Sequence, residues 1–169
     1  LPHGQIEVII TSGEEVGLVG AKHLDMSLLS AKHCLVLDAG GEIGTAVIGA
    51  PHQISCTLTI HGKKAHAGIE PEKGINAIVV AADLIRRFPV GRLDAHSVAN
   101  YGSITGGGAS NIVPDLVTIS GEIRSHDAAL LDAHIKGLEQ AAADAGSASG
   151  ATIDILVTPE YAAFAVAET

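Results

Sequence analysis

From Gln53 to Ile60 the chain alternates apolar Ile54, Cys56, Leu58 and Ile60 with polar Ser55, Thr57 and Thr59. A period of two seats one face of a strand on a core and leaves the other to solvent. The period then changes. Between Gly74 and Phe88, Ile75, Ile78, Val79, Ala82 and Ile85 recur at helical spacing, and Pro89 stops the run. Ser97 to Ile104 reads as a strand, and so does Leu116 to Ile123, where Leu116, Thr118 and Ser120 alternate with Val117, Ile119 and Gly121. Asp127 is placed to cap a helix through Leu130, Leu131, His134, Ile135 and Leu138 to about Ala145. Gly146 to Gly150 reads as a Ser/Gly-rich turn, and Thr152 to Val157 as the last strand. The order β-α-β-β-α-β predicts an α+β two-layer sandwich of ferredoxin-like shape, an antiparallel sheet with helices on one face.

The first fifty residues read differently. Ile6 to Ile10 and Cys34 to Asp38 are continuous apolar runs joined by a helix-length segment, which predicts buried strands in a β-α-β unit of an α/β domain. Each run leads into acid: Glu14-Glu15 after the first and Asp38 at the end of the second. Parallel neighbours would set Glu15 and Asp38 at one sheet edge, at the carboxyl ends of strands where ligands gather. Carboxylate oxygens suit zinc, manganese or cobalt, above all in two-metal hydrolytic sites with metals roughly 3.5–4 Å apart. One glutamate on a metal would leave its neighbour free to work on a metal-bound water. The plain alternative is a solvated acidic turn.

Thr11-Ser12-Gly13-Glu14-Glu15-Val16-Gly17-Leu18-Val19-Gly20-Ala21-Lys22, followed by Val36-Leu37-Asp38-Ala39-Gly40, resembles the dinuclear zinc exopeptidases and amidohydrolases, a family that includes peptidase T, aminoacylase and glutamate carboxypeptidase. The resemblance continues in Gly62-Lys63-Lys64-Ala65-His66-Ala67-Gly68 and Pro71-Glu72-Lys73-Gly74-Ile75-Asn76-Ala77. It resumes in Gly106 to Asp115 and closes on Gly121-Glu122-Ile123-Arg124-Ser125, with the nearest likeness to peptidase T-like proteins. The resemblance implies Glu14 as the catalytic acid and base, with Glu15 and Asp38 as ligands of separate zinc ions. It implies His66 as a lid residue that reaches the partner subunit's active site to hold the substrate or its oxyanion. Asn111 and Arg124 match lid residues that contact the substrate.

On the same resemblance, residues 1–50 are part of a catalytic domain, 51–158 a lid and dimerisation domain, and 159–169 the start of a return into the catalytic domain. The family also needs a His-x-Asp motif and a bridging Asp upstream of the glutamate pair, and a His near the carboxyl end. The chain has none at those places, so it is expected to be an internal fragment, inactive alone. The parent is expected to be an aminotripeptidase-like metallopeptidase that hydrolyses small peptides with two zinc ions and pairs as a homodimer through the lid. The alternatives are an N-acyl amino-acid amidohydrolase of the same family, a non-catalytic dimerisation module, or a stand-alone ligand-binding domain.

Composition narrows this further. The 169 residues are 47% apolar yet contain no Trp and only 2% aromatics, so the core must be built from Ile, Val, Leu and Ala. A net charge of −9 argues against nucleic acid or an anionic membrane as partner. No apolar run approaches the roughly 20 residues that span a bilayer, and no signal-peptide pattern is present, so a cytoplasmic location is expected. Cys34 and Cys56 fall in β-like runs, where buried free thiols are expected; neither forms a Cys-x-x-Cys motif. Gly106-Gly107-Gly108 lacks the Lys-Ser/Thr and helix of a phosphate loop and reads as a flexible connection between two strands; the resemblance implies that its glycines let backbone approach a substrate beside Asn111. His66 could equally be a turn histidine like His52, His61 and His96, and Arg124 a structural partner of Glu122.

Overall fold

The computed structural model describes residues 2–15, 17–38 and 40–166, and the chain divides into two compact units, Leu1–Val47 and Ile48–Thr169. The end of the expected return segment, residues 167–169, lies outside the described residues. In the first unit the regular structure is one helical turn, α1 (Val19–Lys22), and a 3-10 turn at Met26–Leu28. Ile6 to Ile10 and Cys34 to Asp38 join no sheet, so the expected β-α-β unit is not formed among the described residues. Ile6, Val8, Ile10, Leu35, Val36 and Leu37 are exposed, as is Cys34, against the expectation of buried strands and a buried thiol. The cause is coverage. Parallel strands persist where helices shield both faces, and a four-residue α1 cannot shield one. What tethers this unit is Glu7, whose carboxylate accepts from the Ser30 hydroxyl and, at 3.1 Å each, from the amides of Ser30 and Ala31. Those bonds, led by the Ser30 hydroxyl, hold the carboxyl below its ordinary value.

The second unit runs β1 (Gly49–Ala50), β2 (His52–His61), α2 (Ala77–Arg87), β3 (Gly91–Arg92), β4 (Ser97–Gly106), β5 (Leu116–Ser125), α3 (Ala128–Ser149), β6 (Thr152–Tyr161) and β7 (Phe164–Ala165). Strands β3-β4-β5-β2-β6 form a five-stranded antiparallel sheet in that order. The long strands and two helices are those the hydrophobic pattern predicts. Alternation decides the faces: Ile54, Cys56, Leu58 and Ile60 of β2 and Val117, Ile119 and Ile123 of β5 are buried against α2 and α3. Burying each such side chain contributes about 1.5–3 kcal/mol.

The helices begin where their caps stand. Asn76 accepts from the amides of Ile78 at 3.0 Å and Val79 at 3.3 Å, and Asp127 from those of Ala129 at 2.8 Å and Leu130 at 3.0 Å. Helix α3 does not stop near Ala145: the expected Ser/Gly turn is helical to Ser149. Buried Ala141, Ala142 and Ala145 hold its far end on the core, and the Ser149 hydroxyl donates back to the Ala145 carbonyl at 2.7 Å. Gly150, at φ 74°, then ends it in the left-handed conformation that glycine adopts without strain.

A polar tie joins α3 to the turn after β3. Asp94 bonds His134 Nε2 at 2.7 Å through one oxygen and accepts the His96 amide at 2.7 Å through the other. The His96 amide, then His134, hold the Asp94 carboxyl down at about 2. A depressed carboxylate contributes stability above its unfolded value, near 3.9, and loses it as pH falls through the folded value. Urea midpoints of the native chain should therefore fall more steeply between about pH 4 and pH 2 than those of Asp94→Asn. Parallel curves would contradict the tie.

Candidate functional site

Beyond the end of β2 the chain builds a small platform from three separated segments. The Gly62 amide donates to the Asp115 carbonyl at 2.8 Å, and Lys63 and Ile75 exchange two backbone bonds of 2.9 Å. The Val113 amide donates to Ala65 at 2.9 Å, Ala67 to Asn111 at 2.9 Å, and Ala77 to Pro114 at 2.8 Å. Two glycines permit this closeness. A Cβ on Gly62 would lie 2.2 Å from the Ile75 carbonyl oxygen, and one on Gly74 would lie 2.9 Å from the Val113 side chain. No sequence period signals such long-range pairing.

The platform carries His66 and Asn111. His66 forms an antiparallel bridge with Ile112, and its carbonyl accepts the Ile69 amide at 3.3 Å and the Glu70 amide at 3.0 Å. Its ring is half-buried, with Nδ1 accepting the Gly68 amide at 3.2 Å, while Asn111 is exposed. Beside them a shallow cavity of about 260 Å³ is lined by Ala67, Asn76, Ile78, Ser110, Ile112 and Pro114, among others. The structure thus brings His66 and Asn111 to one end of the sheet.

Arg124 stands at the other end. Leu116 of β5 pairs with His61 beside the platform, whereas Arg124 pairs with Gln53 at the far end of β2. At about 3.3 Å per residue the separation along β5 is roughly 26 Å. Arg124 Nε and Nη2 donate to Glu122 at 2.8 Å and 3.0 Å, and Gln53 Nε2 donates to the same carboxylate at 2.8 Å. The Tyr161 hydroxyl lies 3.5 Å from Nη1. Glu122 strengthens the guanidinium's hold on its proton, and occupies one of its edges; the Nη1–Nη2 edge keeps donors for a second carboxylate. Both sequence readings of Arg124, ion pair and ligand contact, are therefore open to the same side chain. Gln53 and Tyr161 were not foreseen here; facing positions on neighbouring strands were the signal available.

Glu14, Glu15 and Asp38 of the first unit are exposed. The Glu14 carbonyl accepts the amides of Gly17 at 3.1 Å and Leu18 at 2.9 Å, closing a turn in which Leu18 takes a left-handed φ of 60°. Among the described residues no three His, Cys, Asp or Glu side chains gather so as to hold a metal ion. One carboxylate per metal leaves most of a zinc coordination shell unfilled, so the donors of this chain do not by themselves fit the expected group. After dialysis the 169-residue chain should retain far less than one equivalent of zinc by atomic absorption. Stoichiometric metal lost in a Glu15→Ala, Asp38→Ala double variant would overturn that expectation.

The two-layer sandwich with its platform matches a known family: the peptidase dimerisation domain of the M20 type aligns with residues 48–149. The chain belongs to that family. Its dimerisation domain and the preceding segment are similar to an uncharacterized protein of Bacillus subtilis, YqjE, at 43% identity over 92% of this chain and 43% of the relative. The aminopeptidase PepT of Bacillus cereus superposes with a TM-score of 0.85 at 42% identity, covering 99% of this chain and 45% of the other. A tripeptidase of Staphylococcus aureus superposes at 0.91 with 40% identity, covering 99% and 44%. The chain thus spans less than half the length of these relatives. The helices of the dimerisation domain include none long and apolar enough to cross a membrane among the described residues.

Proposed function

We propose that this chain is the dimerisation and substrate-covering part, with an adjoining stretch of the catalytic domain, of an aminotripeptidase-like metallopeptidase acting on small peptides in the cytoplasm. Peptidases of this family are generally metal-dependent; in the full-length protein Glu15 and Asp38 would each contribute a ligand to one of two zinc ions, supplying a polarised carbonyl and a water nucleophile. Residues 1–50 and 159–169 belong to the catalytic domain in this reading, and 51–158 form the lid. Glu14 takes and returns the proton. Asn111 and Arg124 hold the peptide's backbone and terminal carboxylate, and His66 donates to the oxygen that gains charge. The observation that carries the reading is the separation of the lid's polar groups: His66 and Asn111 share one end of the sheet, Arg124 the other. A ligand the size of a tripeptide cannot touch both ends of one lid. Two lids related by a two-fold axis can offer opposite ends to one site.

The sheet has an edge suited to such pairing. β3 covers β4 only at Val98 and Ala99, so residues 100–106 are left without a neighbour on that side among the described residues. Beside it stand Ile104 of β4 and Ile78 of α2, which are 53% and 46% exposed. Ile78 reaches the end of β4, where a Cβ on Gly107 would meet it at 3.2 Å. Open edges with apolar neighbours pair or aggregate, and a second copy of this chain is the partner proposed. Sedimentation at micromolar concentration should show a dimer, weakened at least about tenfold by a charge in Ile104→Lys, a loss near 1.4 kcal/mol. A monomer, or a dimer indifferent to Ile104→Lys, would refute this edge as the interface.

A further inference from the structure

His66 has two ring nitrogens, and its chemistry depends on which carries the proton. The Gly68 backbone amide faces Nδ1 at 3.2 Å. A backbone N–H can only donate, so Nδ1 must offer its lone pair, and in the neutral ring the proton then sits on Nε2. From this we infer that Gly68 is a positioning residue: its amide fixes His66 as the Nε2–H tautomer, turned as a hydrogen-bond donor with Nε2 outward. The inference rests on the reading of His66 as a donor to substrate and adds how the chain prepares it.

The surroundings support the assignment. Residues 67–69 form the turn that follows His66, closed by the Ile69 and Glu70 amides on the His66 carbonyl, and this turn lays the Gly68 amide across the ring. The Ile112 bridge and the Ala67–Asn111 bond fix the backbone on either side. No carboxylate hydrogen-bonds either ring nitrogen among the described residues, so the acid-oriented pattern of a histidine base, with Nδ1–H donated to a carboxylate, is not built here. Orientation comes from backbone alone. Such a donor needs no proton exchange to act, because the substrate oxygen meets an N–H already in place.

The test uses the 169-residue chain itself. At pH 8, where an ordinary imidazole is neutral, long-range proton–nitrogen correlation spectra report the tautomer of each histidine. His66 should favour Nε2–H by about tenfold more than the exposed His33 in the same sample, the factor that one hydrogen bond of about 1.4 kcal/mol gives. When acid places a proton on Nδ1, the acceptor is lost, and the Gly68 amide proton should move upfield in step with the His66 ring. Gly68→Ala keeps the amide, and its Cβ would meet His66 Cε1 at 3.6 Å and Nδ1 at 3.8 Å, ordinary contacts; it should leave the ratio unchanged. Gly68→Pro deletes the donor and should return the ratio to that of His33, provided the β2 and β5 amide signals persist. If Gly68→Pro unfolds, the native ratio and the linked titration decide. A native ratio equal to that of His33, or a Gly68 amide blind to the His66 titration, would overturn the assignment. Neither result depends on peptidase activity, so this inference and the proposed function can fail separately.

Discussion

In the proposed full-length peptidase, His66→Ala should lower kcat by about 10²–10³, roughly 3–4 kcal/mol of lost transition-state stabilisation, while KM changes little. The reasoning starts from the platform. His66 is held through its own backbone by Ile112, Ile69 and Glu70 and through its ring by Gly68, so on the proposed reading the donor is in place before substrate arrives. A donor aimed at an oxygen that gains charge contributes mostly in the transition state, which is why kcat carries the loss. Half-buried at a surface turn, the side chain supports no core, and the variant should unfold at the native temperature. A ten-fold or larger rise in KM with kcat intact would instead make His66 a ground-state contact.

Gly62→Ala should have the second largest effect, a loss of about 3 kcal/mol of stability, at the upper end of overpacking costs. The added Cβ would sit 2.2 Å from the Ile75 carbonyl oxygen and 3.2 Å from the Ala77 amide nitrogen. Both are backbone atoms at the start of α2, so no side chain can swing aside. Relief requires breaking the paired Lys63–Ile75 bonds, and the segment bearing His66 then separates from the platform. Gly108→Ala is the matched control: nothing lies within 4 Å of its Cβ, and such surface changes stay within about 0.5 kcal/mol. Urea unfolding of the three proteins checks the pair. Equal midpoints for Gly62→Ala and Gly108→Ala would mean the platform is looser than its bonds imply.

The periodicity of the sequence carried the sandwich because burial there follows local spacing. Ile54, Cys56, Leu58 and Ile60 fall on one face whatever lies elsewhere in the chain. The same logic misplaced the end of α3, since a Ser/Gly composition says turn while Ala141, Ala142 and Ala145 seat the last turns on the core. Strands β1, β3 and β7 are two residues each, too short for any period to register. Around the candidate site the motifs named His66, Asn111 and Arg124, but not their grouping. That grouping depends on pairings between residues far apart in sequence, such as Ala67 with Asn111 and Arg124 with Gln53. Ile6 to Ile10 failed as a strand for the converse reason: an apolar run needs a covered sheet to join, and the described residues of the first unit do not form one.

The proposal that two lids serve each other's sites is tested most directly by mixing two inactive full-length variants, His66→Ala and Glu14→Ala. If His66 acts across the dimer, each mixed dimer holds one complete site, and equal mixing with free exchange should restore about a quarter of native activity. No recovery, with subunit exchange confirmed, would contradict a histidine that acts on its partner's substrate.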